Sequence, residues 1–136
     1  MSEESVTAEK AVLSYQERAV RCAELACDKK AYDIRAIDIS RVSSIADALV
    51  VISGNSEKQN QAICDNIRRG LKKFGKVNDI EGESDGKWIV IDYGDVLVHI
   101  FHDSLRRHYD LDGLWSSGTQ IELPKDVREA RKEDEF

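Results

Sequence analysis

The stretch Trp88-Ile-Val-Ile-Asp-Tyr-Gly-Asp-Val-Leu-Val-His-Ile-Phe101 carries two β-rich runs separated by Gly94-Asp95. A two-residue break containing glycine is a hairpin signal, because the turns that suit it need positive φ. A loop that short sets the register: Tyr93 faces Val96, Ile91 faces Val98 and Ile89 faces Ile100. Side chains alternate across a strand, so one surface collects Ile89, Ile91, Tyr93, Val96, Val98 and Ile100 and packs against helices as core. The reverse surface sets Trp88, Val90 and Asp92 against Phe101, His99 and Leu97. Upstream, Asp85-Gly86 predicts a second two-residue turn, bringing Glu81 opposite Val90, Glu83 opposite Trp88 and Asp79 opposite Asp92. This second surface is then acidic, with aromatic and apolar residues at its middle, a composition that suits a protein interface. A C-terminal segment folding back over Trp88 is the alternative, and the hairpin pattern leaves both open.

Working outward, Ala48-Leu-Val-Val-Ile52 is apolar at every position, as in a strand covered on both faces. The strand is expected over Ala46 to Ser53, after a first strand from Ile34 to Ile39 and a turn-rich link, Ser40 to Ser44. Ser56 and Gln59 read as a capping box. The helix behind them carries Ile63, Ile67, Leu71 and Phe74, with Gly75 as its stop. Thr7 is the expected N-cap of a first helix running to about Lys30, with Leu13, Val20, Ala23 and Cys27 as its apolar stripe. A short strand, Val77 to Glu81, precedes the hairpin, and a short helix, Asp103 to Tyr109, follows it. Pro124 is the only proline, and the mixed-charge segment beyond it is expected to fray. The pattern is one α/β (α+β) domain over 8–123, a mixed sheet of about five strands with flanking helices, between a loose 1–7 and a charged tail, 124–136.

Composition narrows the function. The chain has 136 residues, 20 basic and 26 acidic side chains, and a net charge of −6. Proteins that grip nucleic acid through phosphates need clustered Lys and Arg; here the basic residues are interspersed with acids, so little direct nucleic-acid contact is expected. The longest charge-free runs, Ala48–Ser56 and Gly113–Ile121, fall well short of the roughly 20 residues that span a membrane. The opening Met1-Ser2-Glu3-Glu4 is unlike a signal or transit peptide, so a cytoplasmic location is expected. Cys22, Cys27 and Cys64 form no CxxC and read as small buried hydrophobes.

Catalytic and metal motifs are sparse. His99 and His102 point to opposite faces of one strand, and His108 lies beyond it, so no metal or cofactor site is expected. Asp92 can reach His99 diagonally across the hairpin, but no Ser or Cys nucleophile stands beside the pair. Ser53-Gly54-Asn55-Ser56, between strand and helix, resembles an anion-binding geometry, yet turn and cap needs account for each of its residues.

Five ordered segments carry a family resemblance: Val42-Ser-Ser-Ile-Ala-Asp47, Ile52-Ser-Gly-Asn-Ser56, Glu81-Gly-Glu83, Trp88–Phe101 and Tyr109-Asp-Leu-Asp-Gly-Leu-Trp115. Together they resemble the ribosomal silencing factors, the Iojap family, across about residues 31–116. The resemblance implies a nucleotidyltransferase-like topology without catalysis. It also implies binding to the large ribosomal subunit through ribosomal protein fourteen, steric exclusion of the small subunit, repression of translation when nutrients are short, and homodimers. Carried onto this chain, the partner-binding surface falls on Trp88, Asp92, Tyr93, Gly94 and Asp95, with Tyr109 and Trp115 beside it. The rival reading is a metal-dependent nucleotidyltransferase-like enzyme using Asp92, Asp95 and His99. Such enzymes follow a Gly-Ser turn with two carboxylates two apart on a strand. Here Gly54 is followed by a lone Asp65 inside a helix, so no catalytic residues are assigned.

Overall fold

Ala48–Gly54 is buried at every residue and lies inside a six-stranded sheet. The computed structural model describes residues 12–109, 113 and 116–132. Its helices are α1 (Tyr15–Cys27), α2 (Glu57–Gly70), α3 (Asp103–Tyr109) and α4 (Lys125–Arg128). Its strands are β1 (Tyr32–Asp38), β2 (Ala48–Gly54), β3 (Asp79–Glu81), β4 (Trp88–Asp92), β5 (Val96–His102) and β6 (Thr119–Gln120). The order across the sheet is β3-β4-β5-β2-β1-β6. β2 and β5 run parallel, and every other neighbouring pair is antiparallel. The mixed α/β architecture is as expected, with one strand more than the five foreseen. The extra strand is the two-residue β6, which pairs with Ile37 and Asp38.

Alternation along β2 builds two cores. Ala48, Val50 and Ile52 face α1 and α2 and join Ile89, Ile91, Val96, Val98 and Ile100. Leu49 and Val51 face the other way, onto Ile37, Ile39, Ala46 and Phe101, with Trp88, Leu97 and Leu105 packed against them. The continuous apolar run therefore reflects two covered faces.

α1 starts at a capping box: Ser14 Oγ accepts from the Glu17 amide at 3.1 Å, and Glu17 Oε1 accepts from the Ser14 amide at 2.9 Å. The expected Thr7 cap lies outside the described residues. α1 ends at Cys27, earlier than expected, and Lys30 adopts a φ of 66° in the turn that follows. Its buried face is Arg18, Ala19, Cys22, Ala23 and Ala26; of the predicted stripe, Ala23 is buried, Val20 and Cys27 pack half-buried against the core, and Leu13 lies before the helix. Small residues let α1 lie close to its neighbours: a Cβ on Gly70 of α2 would come within 2.5 Å of the Leu25 side chain. α2 itself stops at Gly70, before the expected Gly75, and Leu71 to Gly75 form further turns.

The C-terminal segment does not fray where it is described. Leu123 and Val127 are buried in the helical core, and the Asp33 amide donates to the Ala130 carbonyl. α4 docks beside β1, away from Trp88, and so does not cover the second surface of the hairpin. No helix among the described residues is long and apolar enough to cross a membrane.

Candidate functional site

The β4–β5 hairpin has the register its short loop demands: Ile91 pairs with Val98, Ile89 with Ile100 and Trp88 with Phe101. The Tyr93 amide donates to the Val96 carbonyl at 3.0 Å. Gly94 sits at φ 92°, a conformation that side chains disfavour, and its amide donates to Asp92 Oδ1 at 2.7 Å. On the neighbouring pair, Asp79 lies opposite Asp92 and Glu81 opposite Val90, as expected. The pairing ends there. A six-residue loop, 82–87, replaces the predicted two-residue turn, with Gly82 and Gly86 both at positive φ. Glu83 consequently leaves the ladder and pairs with Arg68 of α2 at 3.2 Å.

The second surface is neither fully open nor sealed. Phe101 is completely buried, whereas Trp88, Val90, Asp92, Leu97 and His99 are half-buried. The Trp88 ring stacks on Phe101 with centroids 4.9 Å apart, and His99 stacks on Phe101 at 5.9 Å. The indole Nε1–H donates to His99 Nδ1 at 3.1 Å. This bond requires Nδ1 to be unprotonated, and burial supports that state by lowering the His99 pKa to about 4. Leu105 of α3 packs against one side of the cluster. Asp79 and Glu81 are exposed at the β3 border. The result is an aromatic and aliphatic centre edged by carboxylates.

The predicted residues divide accordingly. Trp88 and Asp92 share this surface. Tyr93 lies on the core side, 7% exposed, as the hairpin alternation placed it, and its buried hydroxyl has no hydrogen-bond partner among the described residues. Gly94 is exposed at the turn. Asp95 forms a two-pronged ion pair with the nearly buried Arg18 of α1, and this partner holds its carboxyl below the usual carboxylate range. Its carbonyl also accepts from the Asp47 and Ala48 amides, so Asp95 ties α1 and β2 to the hairpin. The side chain of Tyr109, and all of Trp115, lie outside the described residues.

Asp92, Asp95 and His99 do not converge on one another. They are engaged respectively by the Gly94 amide, Arg18 and Trp88. Among the described residues, no three His, Cys, Asp or Glu side chains gather as metal ligands. Cys22 and Cys64 are buried, with thiols pushed up to about 12 by desolvation, whereas Cys27 is only half-buried. The hairpin logic missed two exposed apolar residues, Val42 and Ile45. Their loop is bracketed by Ile39 and Ala46, members of the same cluster as Phe101. An apolar pair in a Ser-rich turn was the available signal.

A family model described as "Ribosomal silencing factor during starvation" matches residues 12–136. The ribosomal silencing factor RsfS of Bacillus subtilis is 38% identical over 110 residues, covering 79% of this chain and 93% of the relative. The chloroplastic protein Iojap of Zea mays is 34% identical over 111 residues, covering 81% of this chain and 48% of the longer plant protein. A crystal structure of a Chromobacterium violaceum protein superposes with a TM-score of 0.74 at 30% identity, covering 76% of this chain and 88% of that one. A Bacillus halodurans crystal structure gives 0.65 at 34% identity, covering 76% and 95%.

Proposed function

The chain belongs to the ribosomal silencing factor family, and from that membership we propose that it docks on the large ribosomal subunit through ribosomal protein fourteen, bars the small subunit from joining and so represses translation when nutrients are short. The observation that carries this reading is the pair of half-buried rings, Trp88 and His99, stacked on the buried Phe101 and edged by Asp79, Glu81 and Asp92. A half-buried tryptophan held against a buried ring is the kind of residue that dominates binding energy at interfaces. The carboxylates suit a basic protein and orient it more than they hold it. Trp88 and Asp92 are the contact residues of this reading. Gly94 and Asp95 shape the adjoining turn, and Tyr93 supports it from the core side. Tyr109 and Trp115 join the surface by family resemblance.

Co-sedimentation with purified large subunits, followed by a subunit-joining assay, tests the proposal. Trp88→Ala is expected to weaken binding by about 2–4 kcal/mol, thirtyfold or more. Trp88 also packs on Phe101, so the surface variant Asp79→Lys/Glu81→Lys is measured alongside; it leaves the core untouched and is expected to slow association. Raising salt should weaken binding modestly, because exposed carboxylates are screened. Unchanged co-sedimentation in both variants would remove this surface from the docking role.

A further inference from the structure

Arginines that look dispersed in the sequence meet at one end of the sheet. Ser53, at the carboxyl end of β2, and Asp103, just beyond β5, line a cleft of about 600 Å³ together with five arginines. Arg35 comes from β1, Arg106 and Arg107 from α3, and Arg128 and Arg131 from the docked C-terminal segment. Among the described residues, two carboxylates, Asp33 and Asp103, share the lining. Asp103 is already engaged, accepting from the Tyr32 hydroxyl at 2.7 Å and pairing with Lys132 at 3.0 Å. In a chain of net charge −6, this is a concentrated positive site.

The backbone is bent to make it. β1 breaks its register with β2 between Tyr32 and Arg35, and Asp33 is held at φ 48°. Such a conformation is costly for a residue with a side chain and persists where its surroundings enforce it. Here Arg106 enforces it, donating to the Asp33 carbonyl and, at 2.9 Å, to Ser53 Oγ. The cleft also lies outside the carboxyl ends of the parallel pair β2 and β5, the place where open α/β sheets commonly receive ligands.

We propose that this cleft binds a small phosphorylated ligand carrying at least two linked phosphates, of the size of a nucleoside di- or triphosphate. Guanidinium forks match phosphate oxygens two at a time, and several forks around one hollow suit more than one phosphate. The volume is that of a small-molecule site. An extended nucleic-acid strand fits less well, since it needs a continuous basic track and the five arginines surround a single hollow.

The test is calorimetric titration of the full chain with inorganic pyrophosphate and with a nucleoside triphosphate, with sulfate and a single-stranded RNA in parallel. Arg107 and Arg131 are exposed, so Arg107→Gln/Arg131→Gln is expected to weaken pyrophosphate binding at least tenfold without changing the unliganded melting temperature. Tighter binding of the nucleoside triphosphate than of pyrophosphate would identify a nucleotide site; equal binding would identify a polyphosphate site. Absence of binding at millimolar pyrophosphate, equal affinity in the variant, or sulfate binding as tightly would overturn the proposal, and preferential RNA binding through the same arginines would replace it with a strand-binding groove. Large-subunit co-sedimentation should be unaffected in this variant, so the cleft and the Trp88 surface are judged separately.

Discussion

At the residue scale, the hydrogen bond from Trp88 to His99 makes the candidate surface sensitive to acid. The imidazole pKa falls from 6.5 to about 4 on folding because the ring is desolvated. The unfolded chain therefore binds more protons than the folded chain between those values, and stability drops as pH falls through that window. The full effect is at most roughly 3 kcal/mol. His99→Gln should flatten the acid limb of a melting-temperature profile between pH 6.5 and 4 while leaving the neutral plateau little changed. An unaltered limb would mean that the ring does not titrate with folding. Asp95 makes a second residue-level case. Removing its carboxylate leaves the nearly buried Arg18 guanidinium without its partner, so Asp95→Ala should cost about 1–3 kcal/mol in denaturant unfolding. Arg18→Met/Asp95→Ala, which removes both charges, should recover part of that loss.

At the element scale, short connections were legible and long ones were not. Gly94-Asp95 allowed one register and the hairpin adopts it. The 82–87 loop was harder, because Gly82 contributes a second positive-φ position and comes so close to Trp88 that a Cβ there would meet the Trp88 carbonyl at 2.0 Å. Counting from Asp85-Gly86 alone therefore put Glu83 in the ladder, when it belongs to α2's side. The first helix was legible in part: Ala23 of the predicted stripe is buried and Val20 and Cys27 pack against the core, while the equally small Ala19, Cys22 and Ala26 were passed over. α4 shows the limit of composition as a guide. Its segment is mostly charged, yet two side chains decide its placement. Leu123→Ala should cost about 2–4 kcal/mol in equilibrium unfolding; a neutral result would mean that α4 is peripheral to the core.

At the scale of the whole molecule, charge and hydrophobicity are sorted by location in a way no linear pattern reveals. Carboxylates border the Trp88 surface, five arginines meet from β1, α3 and the docked C-terminal segment, and Cys22 and Cys64 are buried in the helical core. The surface around Trp88 was readable because its aromatic centre, Trp88, His99 and Phe101, comes from one hairpin. The arginine cleft was not, because its lining is gathered from three distant stretches of chain and from a bulge that only the folded sheet displays. The parallel pairing of Ala48–Gly54 with Val96–His102 has its own consequence. During synthesis, the greasiest strand emerges with β1 available on one flank and nothing on the other until some forty residues more have been made. Closure of the sheet is therefore a late, long-range event, and a nascent chain interrupted before β5 exposes a bare apolar edge suited to chaperones or to aggregation.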